Sequence, residues 1–194
     1  MALSIHKRFI VHPYKFNMWI GIVSMVMVFA AFTSAYVVKK GDTSTWKDIV
    51  LPQIFTTSTI VIVISSVFMH AAYLAFRKGN LQVYRGCITL AFLTGLAFLT
   101  MQIQGWNLLV SEGISLSGNV AGSFIYVISG THFLHVAGGV IALLVFAIKS
   151  VTRFNTANIA ELQKYQINVE VMTTYWHFVD FLWVYLYFFF LLNR

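Results

Sequence analysis

Five stretches of this 194-residue chain stay apolar for about twenty residues or more, the length that crosses the hydrocarbon of a bilayer. They lie at about 18–38, 53–76, 86–109, 120–148 and 171–192. In lipid, a segment must satisfy its own backbone hydrogen bonds, so runs of this length and spacing predict an all-α polytopic bundle of five transmembrane helices in a single domain, 1–194. With 59% hydrophobic and 10% charged residues and a mean hydropathy of +0.78, the chain cannot be a water-soluble domain. A net charge of +7 in a soluble protein would point to nucleic acid. Here the basic residues are scattered among the loops, so they read as topology signals and no nucleic-acid partner is expected. A single cysteine, Cys87, excludes a disulfide framework within the chain.

The connections are short. Met1 to Phe16 reads as a polar lead-in to an uncleaved first span, and Gly41 to Asp48 as a polar loop before Pro52 opens the second span. Arg77-Lys78-Gly79-Asn80 makes a tight turn, and Ser111 to Asn119 a Gly- and Ser-containing loop. Lys149 to Glu170 is the longest polar segment. Its Ile159, Leu162, Tyr165 and Ile167 are too few to span but suit an interfacial helix extending span four or five. Lys7, Arg8, Lys15, Arg77, Lys78, Arg85, Lys149, Arg153 and Lys164 fall on one side, against Lys39, Lys40, Lys47 and Arg194 on the other. The bias places the N-terminus inside and the C-terminus outside.

The last span carries His177 and Asp180 within an apolar run. A carboxylate at the centre of an inserted helix costs roughly 2.5 to 3.5 kcal/mol on the translocon scale, so it needs a reason to be there. At helical spacing Trp176, His177, Asp180, Trp183 and Tyr187 share one stripe, which should face protein. His132 and His135 stand three apart in span four, ahead of Gly138-Gly139, where another helix can approach closely. His135 and Asp180 fall at similar depth. The expectation is therefore a polar seam between spans four and five, with His132 and His135 facing His177 and Asp180.

Three uses of these side chains are open: helix locking by buried polar groups, a proton path or carboxylate site, or metal or haem ligation. For ligation, His70 and His177 lie at similar depth, but the histidines are irregularly spaced. The methionines of span one fit packing better than copper binding. Trp19, Trp46, Trp106, Tyr14 and Tyr36 suit interfacial aromatic belts. Gly118 and Gly122 form a small-residue pair at a loop edge. The chain has no phosphate-binding loop, HExxH, nucleophile elbow or paired catalytic carboxylates.

Two stretches, Tyr175-Trp-His-Phe-Val-Asp-Phe-Leu-Trp183 and Gly130-Thr-His-Phe-Leu-His-Val-Ala-Gly-Gly139, closely resemble the last two transmembrane helices of subunit III of the haem-copper cytochrome c oxidases. Leu51-Pro52 with Thr57-Ser58, and Gln102, resemble the same family more loosely. The chain looks like the five-helix form, lacking the first two helices of the seven-helix members. Those two wall one side of a lipid-filled cleft, so any cleft here would be completed by other helices. Two family carboxylates are replaced: one position falls near Met25 and the other, after the glutamine, near Gly105.

The resemblance implies an accessory subunit with no cofactor of its own, the haem and copper being held by partner subunits. It implies packing against oxidase subunit I beside subunit II, with a small subunit IV or a respiratory supercomplex as further partners. It also implies bound phospholipid and support of proton uptake in a bacterial inner membrane. His132, His135, Trp176, His177, Asp180 and Trp183 become structural or lipid-contact positions. A quinol oxidase subunit III is the nearest alternative, and a haem-binding membrane cytochrome anchor or a small transporter are alternatives of other classes.

Overall fold

The computed structural model describes residues 13–41, 46, 49–116, 119–152 and 159–193, with residues 159–164 described by backbone alone. Five helices, α1 (Pro13–Lys40), α2 (Gln53–Arg77), α3 (Leu81–Ser111), α4 (Val120–Thr152) and α5 (Ile159–Leu192), account for nearly all of it. There is no strand among the described residues. Each helix contains a stretch long and apolar enough to cross a membrane. Lys7, Arg8, Lys47, Arg153, Arg194 and Gly118 lie outside the described residues.

The helix ends follow local chemistry. Pro52 stands at the N-cap of α2, where its missing N–H is no loss. At the α2–α3 turn, Gly79 takes φ of 73° and the Asn80 side chain accepts from the Val83 N–H at 3.2 Å. Three helices start well ahead of their apolar runs. α1 begins at Pro13, taking Pro13 to Phe16 out of the expected lead-in. α3 opens at Leu81, and α5 begins at Ile159, absorbing most of the long polar segment as an extension of span five. Hydrophobicity marks where lipid begins, whereas a helix continues as long as its backbone hydrogen bonds do.

α2, α3, α4 and α5 form a ring of four helices, each packed on its two neighbours. α1 stands outside that ring and packs only on α4 and α5. Between helices the core is aromatic and aliphatic, with Phe29, Tyr84, Phe98, Trp176 and Trp183 essentially inaccessible. Long outward faces, including Val63, Val67, Leu134, Ile141 and Phe181, stay exposed as lipid-facing surface should.

Trp176 crosses the middle of the ring. A Cβ at Gly95 of α3 would stand 2.9 Å from its Cη2, and one at Gly139 of α4 would stand 2.8 Å from its Cζ3. Gly139 therefore does admit a neighbouring helix, as expected. Gly138 has nothing within 4 Å, and Gly122 is crowded by Ile114 of the preceding loop instead of a helix.

Candidate functional site

The stripe on α5 meets α2. Running antiparallel, the two helices exchange a series of side-chain hydrogen bonds along their length. Tyr187 Oη and Thr56 Oγ1 are 2.8 Å apart, and Trp183 Nε1–H donates to Thr59 Oγ1 at 3.0 Å. Trp176 Nε1–H donates to Ser65 Oγ at 3.2 Å, and His177 Nδ1 lies 2.5 Å from Ser66 Oγ. Ser65 in turn donates to the Ala91 carbonyl of α3 at 3.0 Å, so one serine ties three helices together. A buried hydroxyl within a helix can satisfy itself on a carbonyl one turn earlier, as Thr59 does on Phe55 at 2.7 Å, leaving its lone pairs free to accept from the indole.

This arrangement corrects the expected seam between spans four and five. Among the described residues no hydrogen bond joins His132 or His135 to His177 or Asp180. His132 is fully buried and stacks on Trp183, centroids 5.1 Å apart and planes at 28°, with Phe29 and Phe98 edge-on at 6.2 Å. Neither of its ring nitrogens has a hydrogen-bond partner in the protein. His135 turns back on its own helix, its Nδ1–H donating to the Thr131 carbonyl at 2.8 Å, while its backbone carbonyl accepts from Tyr175 at 2.9 Å. Matching depth put these histidines near α5, but the α5 face that meets α4 offers them ring surface, and its tyrosine hydroxyls go to α4 backbone carbonyls.

His177 belongs to α2 instead. Besides Ser66 it meets His70, the ring centroids 5.7 Å apart and tilted by 45°, in keeping with the similar depth of the two. Its Nε2 is buried without a partner. One turn further on, Asp180 is 3% exposed and neither carboxylate oxygen has a hydrogen-bond partner. Ser66 is the hydroxyl beside it, but that hydroxyl is engaged with His177 and makes no hydrogen bond to the carboxylate. Of the polar groups on the α5 stripe, the carboxylate of Asp180 is the one left without a hydrogen bond.

Two of the pockets beside α5 carry charged side chains. One, of about 510 Å³, lies between α1, α2 and α5 and is lined by Lys15, His70, Tyr73, Glu170, Thr174 and His177 among others; at its edge Lys15 and Glu170 pair at 2.5 Å. The other, of about 630 Å³, lies between α1, α4 and α5, with apolar walls including Met25, Gly138 and Phe146 and with Asn17, Lys149 and Asn168 as polar members. The positions of the two replaced carboxylates are both filled. Met25 is buried, and the ring of Phe55 lies where a Cβ on Gly105 would stand only 2.8 Å away.

The α2 hydroxyls Thr56, Thr59, Ser65 and Ser66 were not anticipated as members of this site. Their signal was available: Thr56, Thr59 and Ser66 recur at near-helical spacing on one face of an apolar span.

A model of the cytochrome c oxidase subunit III family matches residues 2–193. The chain belongs to that family. It is 31% identical over 128 residues to a probable cytochrome c oxidase subunit 3 of Mycobacterium bovis, covering 65% of this chain and 59% of that protein. A probable cytochrome c oxidase subunit 3 of Nocardia farcinica is 34% identical over 127 residues, again spanning 59% of the relative's length. Near full length on both sides is a cytochrome bo(3) ubiquinol oxidase subunit 3 of Buchnera aphidicola, 26% identical over 183 residues, covering 92% of this chain and 93% of the relative. Family membership thus spans relatives named for two different electron donors.

Proposed function

We propose that the chain is the non-catalytic subunit III of a proton-pumping haem-copper terminal oxidase, packed on subunit I beside subunit II, with cytochrome c as the donor. Haem and copper belong to those partners. The observation that carries this reading is the family match over nearly the whole chain, joined to a bundle whose indoles and several buried hydroxyls are spent on helix packing. The pocket between α1, α4 and α5 supports lipid binding: its walls suit acyl chains and Lys149 suits a phosphate. The charge bias supports an N-terminus in the cytoplasm of a bacterium whose inner membrane holds the complex.

The test is gentle extraction of the tagged chain, followed by mass spectrometry of co-purifying proteins and a reduced-minus-oxidised optical spectrum before and after stripping them. Haem signals should travel with a large partner and vanish from the stripped chain. Haem retained by the stripped chain would make His70, His132, His135 or His177 ligands and turn the assignment to a membrane cytochrome. The relatives named as ubiquinol oxidase subunits favour a second reading, a quinol oxidase. Turnover of the purified complex with reduced cytochrome c against ubiquinol separates the two.

A further inference from the structure

We propose that the pocket between α1, α2 and α5 is a proton inlet that ends at Asp180, with His177 and Ser66 as the relay. Three observations converge. The pocket, about 510 Å³, has room for on the order of ten waters at ~30 Å³ each. Its charged and titratable lining comes from every helix around it: Lys15 of α1, His70 and Tyr73 of α2, and Glu170 and His177 of α5. Counted from Glu170, His177 is its deepest α5 residue, and Asp180 lies one turn beyond; the whole path rises about 15 Å along the helix.

The second observation is what stands unpaired there. Both oxygens of the Asp180 carboxylate and the Nε2 of His177 are buried without a protein partner. Buried polar atoms are nearly always satisfied, and on this route water from the pocket that His177 lines satisfies these; Ser66 and His177 also line a second pocket, of about 420 Å³. The third is the link between them. Ser66 Oγ lies 2.5 Å from His177 Nδ1 and beside the Asp180 carboxylate. A hydroxyl both donates and accepts, so it can turn from one neighbour to the other.

The transfer balances without any further reactant. A hydronium in the pocket gives its excess proton to Nε2, leaving water, while the Nδ1 proton passes to Ser66 Oγ. The hydroxyl proton of Ser66 then passes to the carboxylate as the serine turns towards it. His177 is left as the other neutral tautomer and Asp180 as the carboxylic acid; reorientation of ring and hydroxyl resets the relay. This deepens the oxidase reading by giving proton uptake a route within the subunit. Its test reads the carboxyl itself, so it stands or falls apart from co-purification.

The experiment is infrared spectroscopy of the purified complex with isotope-labelled aspartate carboxyls, transferred from H₂O to D₂O. A carboxylic-acid carbonyl band that carries the label should be present and should shift promptly on transfer. Asp180→Asn should remove it; if that variant does not assemble, Asp180→Glu moves the band out of the labelled set and makes the same assignment. In Ser66→Ala and His177→Phe the band should persist while its exchange slows on the order of tenfold or more. Absence of a band assignable to Asp180, or exchange as fast in both relay variants as in the parent, overturns the proposal.

Discussion

The indole of Trp176 leaves no room for a methyl group on Gly139: a Cβ there would sit 2.8 Å from Cζ3 and 3.1 Å from Cε3, with the Tyr175 ring equally near. The same indole presses on Gly95 from the other side and donates to Ser65. Three helices are therefore spaced by one side chain of the fourth.

Gly139→Ala should lower the thermal stability of the purified complex, by about 1–3 kcal/mol as for other overpacked cores. Trp176→Phe should recover part of that loss in the double variant, because the smaller ring yields the space. Strictly additive losses in Tm would mean that the glycine matters for some other reason.

Ser65 and Thr59 each accept from an indole, but only Ser65 also holds a carbonyl of a third helix. Thr59→Val should cost about 0.6 kcal/mol, the average for interhelical hydrogen bonds in membranes. Ser65→Ala should cost more, about 1–3 kcal/mol, since it removes two interhelical hydrogen bonds at once and leaves the Trp176 indole N–H buried and unpaired, although the Ala91 carbonyl still accepts from Thr94. Unfolding in mixed micelles checks the order, and equal losses would contradict it.

His132 contributes a ring and no hydrogen bond within the protein. His132→Phe should therefore leave stability unchanged or raise it, because stacking on Trp183 is kept and two unsatisfied atoms are removed. His132→Ala should lose about 3 kcal/mol to the cavity it opens. If the phenylalanine variant falls as far as the alanine variant, a polar role at His132 has been overlooked.

Gly105 lies near the position at which the resemblance to the family implies an acid. Gly105→Asp should fail to assemble, because Phe55 fills the space and stacks near Trp183. Adding Phe55→Ala should restore assembly in part. Levels of the assembled complex on native gels read the result.

The five helices and the face of α5 that turns inward were legible because both are matters of periodicity. The partner of that face was not. Depth matching pairs Asp180 with His135 as well as it pairs His177 with His70, and only the packing of α5 between α2 and α4 decides between them. Mid-helix Ser and Thr hide their role, since such a hydroxyl can equally satisfy itself on its own helix, as Thr59 does. Pro13 was a usable sign that α1 starts early, because proline at a first helical turn is favoured. The apolar run that begins at Met18 masked it.

Among the helices α1 packs on α4 and α5, and Tyr36 donates to the Asn193 carbonyl 157 residues further on. Of the five helices it leaves the ribosome first, yet its native contacts wait for the other four to be made. Its docking is a long-range closure, the slow kind. A nascent chain halted after α3 would hold α1 in the bilayer with neither of its partner helices, so the helix that is synthesised earliest of the five is the one whose place is settled last.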